Sequence, residues 1–119
     1  MTKKEKLIII GKSGSGKDFL LHELSKVGIK SSAKITTRPK RYLEVDGINY
    51  QFKTNEEFDN LTKSNNLLVS QQFVNNKGDI WKYGISRMDY DENQAFIMTP
   101  NELSQILEED RKGIFVVYL

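Results

Sequence analysis

The chain has 119 residues, no cysteine, a single histidine (His22), and 18 Lys plus Arg against 16 Asp plus Glu, for a net charge of +2. Such a length suits one domain that buries roughly two thirds of its unfolded surface without staples, while the cysteine and histidine counts exclude disulfide frameworks, iron–sulfur clusters, cysteine nucleophiles and multi-histidine metal sites. The mild charge does not resemble a nucleic-acid binder, and with apolar runs no longer than residues 7–10 and 114–119 the expectation is a soluble cytoplasmic domain with no membrane span. Lys3, Lys4 and Lys6 beside Glu5 read as a solvated tail.

Leu7, Ile8, Ile9 and Ile10 form a β-branched-rich run bounded by glycine, as in a strand buried on both faces of a parallel sheet. After a glycine-rich segment, Leu20, Leu21, Leu24 and Val27 recur at helical spacing from Asp18 onward, with Gly28 as a stop. His22 falls on the surface of that helix. Residues 35–41 break into Pro39 and a basic cluster, and Asp46-Gly47 reads as a tight turn. Beyond it Tyr50 and Phe52 alternate with polar residues over 49–53, predicting a small antiparallel element.

Thr54 followed by Glu56 and Glu57 marks a helix start with Phe58 and Leu61 on one face, and residues 67–73 read as a strand. Lys77-Gly78-Asp79 then turns into a strand over 80–85. Residues 95–98 predict a short strand ended by Pro100; Leu103, Ile106 and Leu107 mark a helix; and 114–119 predict a final buried strand. Strand and helix alternate in the outer segments, so the expected fold is α/β: a parallel sheet flanked by helices, with a mixed β-rich insert. Within one domain spanning 1–119, residues 1–34 and about 90–119 form the core and about 35–89 the insert.

Gly11-Lys12-Ser13-Gly14-Ser15-Gly16-Lys17 satisfies GxxxxGK between a predicted strand and a predicted helix, the context of a phosphate-binding loop. Its glycines let backbone N–H groups converge on phosphate oxygens, the helix N-terminus adds partial positive charge, and Lys17 brings an ammonium to the outer phosphates. The plain alternative, a Gly/Ser turn, does not need three glycines, two serines and that lysine. Asp18 stands where the complete motif has Ser or Thr, whose hydroxyl ligates magnesium. Its carboxylate either holds Mg2+, directly or through water, or complements the helix N-terminus; the sequence leaves both open.

Thr36-Thr37-Arg38-Pro39-Lys40-Arg41, then Glu44-Val45-Asp46-Gly47-Ile48-Asn49-Tyr50-Gln51-Phe52, and Glu56-Glu57-Phe58 follow the glycine loop in an order and spacing that resemble the guanylate kinase family. Trp81-Lys82-Tyr83-Gly84 stands where that family has its second tyrosine-glycine. The resemblance is close from Leu7 to about Phe58 and looser to Leu119. It implies a P-loop nucleoside-monophosphate kinase, with ATP bound by Gly11, Ser13, Gly14, Ser15, Gly16, Lys17 and Asp18, magnesium as cofactor, and the acceptor nucleotide in the β-rich insert. Arg38 and Arg41 can offer planar forks to a monoester phosphate, and Tyr50 and Tyr83 hydroxyl donors. These four match the family's phosphate-clamping positions; read without the flanking motif they are a solvated basic turn and two packing tyrosines. Lys17 and Arg38 are the catalytic candidates.

Lys34 matches the family's guanine-reading serine, and Val69 falls on or near its guanine-reading glutamate. Guanine presents N1 and N2 donors, for which neither lysine nor valine has an acceptor, so the base stays open. Gln71 and Gln72 offer amides to another base or are strand surface. Ile97 and Thr99 match positions where the family carries acidic residues, and its lid arginines and final helical region would fall beyond Leu119. Two further readings compete: a non-catalytic module that binds a nucleotide or a phosphorylated protein, and an unrelated NTPase that hydrolyses without an acceptor.

Overall fold

The computed structural model describes residues 5–106 and 108–119, and the chain divides into two compact units: Met1–Ser32 with Asp89–Leu119, and Ala33–Met88 between them in sequence. Its strands are β1 (Lys6–Ile10), β2 (Ile35–Thr36), β3 (Gln51–Phe52), β4 (Leu67–Val74), β5 (Ile80–Ser86), β6 (Ala95–Ile97) and β7 (Ile114–Tyr118). The helices are α1 (Lys17–Lys26), α2 (Asn55–Lys63), α3 (Arg87–Glu92) and α4 (Pro100–Ser104), with a 3-10 turn at Glu108–Arg111. The α/β expectation holds. Lys3, Lys4 and Leu107 lie outside the described residues.

The first unit is built on a parallel sheet in the order β6-β1-β7, with Ile8 opposite both Phe96 and Val116. Ile8 and Ile9 are fully buried because β1 has a strand on either side and apolar residues across both faces. α1 follows after the glycine loop and ends where Gly28 takes φ 86°, a left-handed conformation that costs glycine little. Val27 lies past the helix end and is exposed, so it does not extend the apolar face of α1. Among α1 residues none is fully buried; Leu20, Leu21 and Leu24 are half-buried.

Four features of this unit differ from the sequence pattern. Lys6 belongs to β1 and is buried; its ammonium donates to the carbonyls of Tyr90 and Asn93, each at 2.6 Å, beside the end of α3. Pro100 opens α4 as its first residue, behind an N-cap in which Thr99 Oγ1 accepts from Glu102 N at 3.1 Å and Glu102 Oε1 accepts from Thr99 N at 3.0 Å. α4 ends before Ile106, although that side chain is buried. β7 is an edge strand rather than a buried one: it pairs only with β1 among the described residues, and Phe115 and Tyr118 are 54% and 71% exposed.

The second unit is a mixed sheet in the order β3-β2-β5-β4. β2 runs antiparallel to β5 and parallel to β3. The parallel pairing corrects the expected antiparallel element at 49–53: residues 37–50 form a loop long enough to carry the chain back, so β3 starts beside β2 in the same direction. α2 begins with a capping box between Thr54 and Glu57 and buries Phe58. Gly84 on β5 is required by crowding, since a Cβ there would meet Val69 O at 2.9 Å and the Phe58 ring at 3.4 Å. Gly78 (φ 85°) and the side chain of Asn75, which accepts from Lys77 N and Asp79 N, close the β4–β5 hairpin.

Candidate functional site

In the first unit the loop after β1 carries Gly14 at φ 79° and Gly16 at φ 95°, conformations that residues with a Cβ adopt only under strain. Ser15 N donates to Lys12 O at 3.1 Å, which tightens the loop. Gly11 sits close under it: a Cβ there would lie 2.6 Å from Ser15 Oγ and 3.1 Å from Leu119 O. Gly16 caps α1 with no side-chain hydrogen bond, so the first-turn amides are offered to an outside anion. Lys17, the first residue of α1, folds back to donate to the Gly11 carbonyl. Ser13 and Ser15 are exposed, as is Asp18 on the first turn. No cluster of three His, Cys, Asp or Glu capable of holding a metal exists among the described residues.

In the second unit the two threonines before Arg38 are wired to β5. Thr36 is fully buried; its hydroxyl donates to Lys82 O at 3.0 Å and accepts from Arg38 N at 3.1 Å. Thr37 N donates to Lys82 O at 3.0 Å and Thr37 Oγ1 accepts from Lys82 N at 2.9 Å. These bonds turn the chain so that Arg38 points inward, leaving it only 5% exposed.

The Arg38 guanidinium sits 5.1 Å from the centre of the Tyr50 ring and 5.9 Å from that of Phe52. Tyr50 and Tyr83 meet edge to face at 5.9 Å, and Phe73 meets Tyr83 at 5.6 Å. Arg38 Nη1 and Nη2 donate to Oε1 and Oε2 of Glu44 at 3.0 and 2.7 Å, and Nη1 also donates to Pro39 O at 3.0 Å. Hydrogen bonding to Glu44 raises the Arg38 pKa against the opposing effect of burial, and Tyr83 acts in the same direction as Glu44. The Glu44 carboxyl is held down at about 2, first by Arg38 and then by the backbone amide of Arg41, which donates to Oε1 at 2.6 Å. Burial pushes the Tyr50 hydroxyl up.

The residues singled out by sequence thus separate. Arg38, Tyr50 and Tyr83 come together; Arg41 is exposed and borders the cluster through Glu44; Lys34 joins the neighbouring strand by its carbonyl, which accepts from Gln51 N at 2.8 Å. Val69 is buried opposite Ile85. Gln71 stands opposite Tyr83, on its face of the sheet, whereas Gln72 stands opposite Lys82, whose ammonium pairs with Asp59 at 2.8 Å on the other face. Ile97 lies in β6 and Thr99 caps α4. Glu44, Phe52 and Phe73 were not assigned a site role from sequence. Glu44 lay within the motif run, but nothing in its spacing marked it as the partner of Arg38.

A parallel β1 strand, a loop with two left-handed glycines and a helix opening on lysine define the P-loop class of α/β proteins. The chain belongs to the guanylate kinase family, whose model, described as "Guanylate kinase", matches residues 3–115. A guanylate kinase of Mycoplasmoides gallisepticum is 41% identical over 81 residues, covering 64% of this chain and 42% of the relative. One of Mesoplasma florum is 35% identical over 124 residues, covering 98% of this chain and 42% of the relative. The fold matches the crystal structure of guanylate kinase from Anaplasma phagocytophilum at a TM-score of 0.69 and 21% identity, over 96% of this chain and 58% of that one. The chain therefore spans less than half the length of these curated relatives. Among its described residues no helix is long and apolar enough to cross a membrane.

Proposed function

We propose that this chain carries the nucleotide-binding parts of an ATP-dependent nucleoside-monophosphate kinase of guanylate-kinase type, acting in the cytoplasm. The observation that carries the reading is the buried Arg38 set between Glu44 and the rings of Tyr50 and Phe52, with Tyr83 beside Tyr50. A guanidinium with neighbouring phenol donors suits a dianionic monoester phosphate. The second support is the glycine loop, whose residues Gly11, Ser13, Gly14, Ser15, Gly16 and Lys17 suit the phosphates of ATP.

In the proposed reaction an oxygen of the acceptor phosphate attacks the γ-phosphorus, the bond to the β–γ bridging oxygen breaks, and ADP leaves with that electron pair. Lys17 exchanges the Gly11 carbonyl for the outer phosphates and offsets the charge that develops there. Arg38, Tyr50 and Tyr83, with Arg41 and Lys34 at the border, hold and orient the acceptor. Magnesium, if bound with ATP, would supply positive charge against the phosphates, and Asp18 would be the residue to hold it, directly or through water. Asp18 fits it as a lone exposed carboxylate, since this ion keeps waters and substrate phosphates as its other ligands. Gln71, on the face of Tyr83, would be the amide to meet a base.

The test is to mix the chain with ATP, magnesium and GMP, AMP, CMP or UMP in turn and follow ADP together with the nucleoside diphosphate. Formation of both, dependent on one acceptor, is expected. Binding of a monophosphate without ADP favours a binding module, and ADP without any acceptor favours a simple NTPase; either outcome rejects the kinase.

A further inference from the structure

A guanidinium has two two-pronged edges: the Nη1–Nη2 end and the Nε–Nη2 side. In Arg38 the end edge is taken by Glu44, with bonds of 3.0 and 2.7 Å, and Nη1 is shared with Pro39 O. Two parallel bonds fix the plane of the fork as well as its position. The carboxylate is itself fixed from the loop side by Arg41 N at 2.6 Å, and the Glu44 carbonyl accepts from Lys40 Nζ at 3.0 Å. Resting on the acceptor-phosphate reading above, we infer that Glu44 is a positioning residue, which locks the Nη1–Nη2 end of Arg38 so that the Nε–Nη2 edge receives the monoester phosphate.

The physical alternative is that Glu44 merely fills the phosphate's place and is displaced by it. Three observations oppose displacement. Glu44 keeps its charge throughout the neutral range. It holds the loop through an amide that a departing carboxylate would strand. Arg38 is almost fully buried, so the guanidinium has little room to swing toward a new partner. A long side chain fixed before binding loses less freedom when the ligand arrives, and that saving appears as affinity.

The experiment titrates wild type, Glu44→Gln, Arg38→Lys and the double variant with GMP, AMP, CMP, UMP and inorganic phosphate, and with the parent nucleosides. Glu44→Gln is expected to weaken monophosphate binding about tenfold, the loss expected when one charge-assisted pair is broken. Nucleoside binding stays unchanged, and the substitution adds nothing once Arg38 is Lys. Equal or tighter monophosphate binding by Glu44→Gln, with Arg38→Lys weakened, overturns the positioning role alone. Unchanged binding in Arg38→Lys overturns the acceptor reading beneath it. Should Glu44→Gln fail to fold, nitrogen NMR of wild type decides: separate, slowly exchanging Arg38 Nη signals are expected with and without the monophosphate, and averaging of those signals on binding overturns the lock.

Discussion

The ammonium of Lys6 lies 2.6 Å from the carbonyl oxygen of Tyr90 and 5.0 Å from the centre of its ring. One cation therefore serves the carbonyls at the end of α3 and caps the ring that stacks on Phe96 at 4.9 Å. Lys6→Met keeps the stem and removes the donor, and it is expected to cost about 1–3 kcal/mol, the penalty for unpaired buried carbonyls. Urea denaturation measures this; a loss below about 0.5 kcal/mol would show that the charge is dispensable there.

Glu44 sets a pH dependence. Its carboxyl is held at about 2 against an ordinary 4.5, so below 4.5 the unfolded chain takes up the proton first. The stabilisation is complete above about pH 4.5 and is lost as the pH falls through 2. The melting temperature of wild type should exceed that of Glu44→Gln by a constant margin at pH 5–6, and the margin should shrink steadily toward pH 2. A margin that does not change over this window would exclude the Arg38 pair as its source.

Leu43 holds φ at 71° with its side chain 80% exposed. A left-handed backbone costs an L residue roughly 1–2 kcal/mol, and an exposed side chain gains little packing in return. Glycine relieves that cost but adds unfolded-state freedom. Leu43→Gly is expected to raise stability by up to about 1 kcal/mol, while Leu43→Ala should not. Equal stabilities for the two variants would contradict the strain.

Gly84→Ala places a methyl 2.9 Å from the Val69 carbonyl, a backbone atom that cannot rotate away. The expected loss is about 1–3 kcal/mol, because β4 and β5 must separate to admit it. Equilibrium unfolding would read this directly, and a neutral substitution would mean that the hairpin relaxes freely.

Lys17→Met removes the ammonium from the glycine loop while keeping the length of the side chain. On the proposed kinase reading, turnover is expected to fall about 100-fold or more, comparable to loss of one preorganised donor to the transition state. Steady-state kinetics with the preferred acceptor measures this, and near-normal turnover would remove Lys17 from the reaction.

Local chemistry was legible where it had local causes. The run 7–10 read as a doubly buried strand because its residues are apolar on both faces, and Thr54 announced α2 because the capping box is closed within four residues. Lys6 was illegible for the opposite reason: its carbonyl partners lie 84 and 87 residues away, so its charge read as solvated. The parallel direction of β3 depends on the path of a loop rather than on any alternation of residues. In the candidate site, Arg38, Tyr50 and Tyr83 were found by motif. Glu44 stood in the same motif run, but its pairing with Arg38 was not legible, since spacing alone does not select which of 16 acidic residues an arginine takes.

The strand order β3-β2-β5-β4 separates two tasks in the second unit. Tyr50, Phe52, Arg38 and Tyr83 gather around β3, β2 and β5, while Val69 and Gln71 lie on β4, the outer strand at the opposite edge from β3. On the proposed reading, descendants of this gene can change nucleobase preference through a handful of outer-strand mutations and still inherit an intact grip on the phosphate.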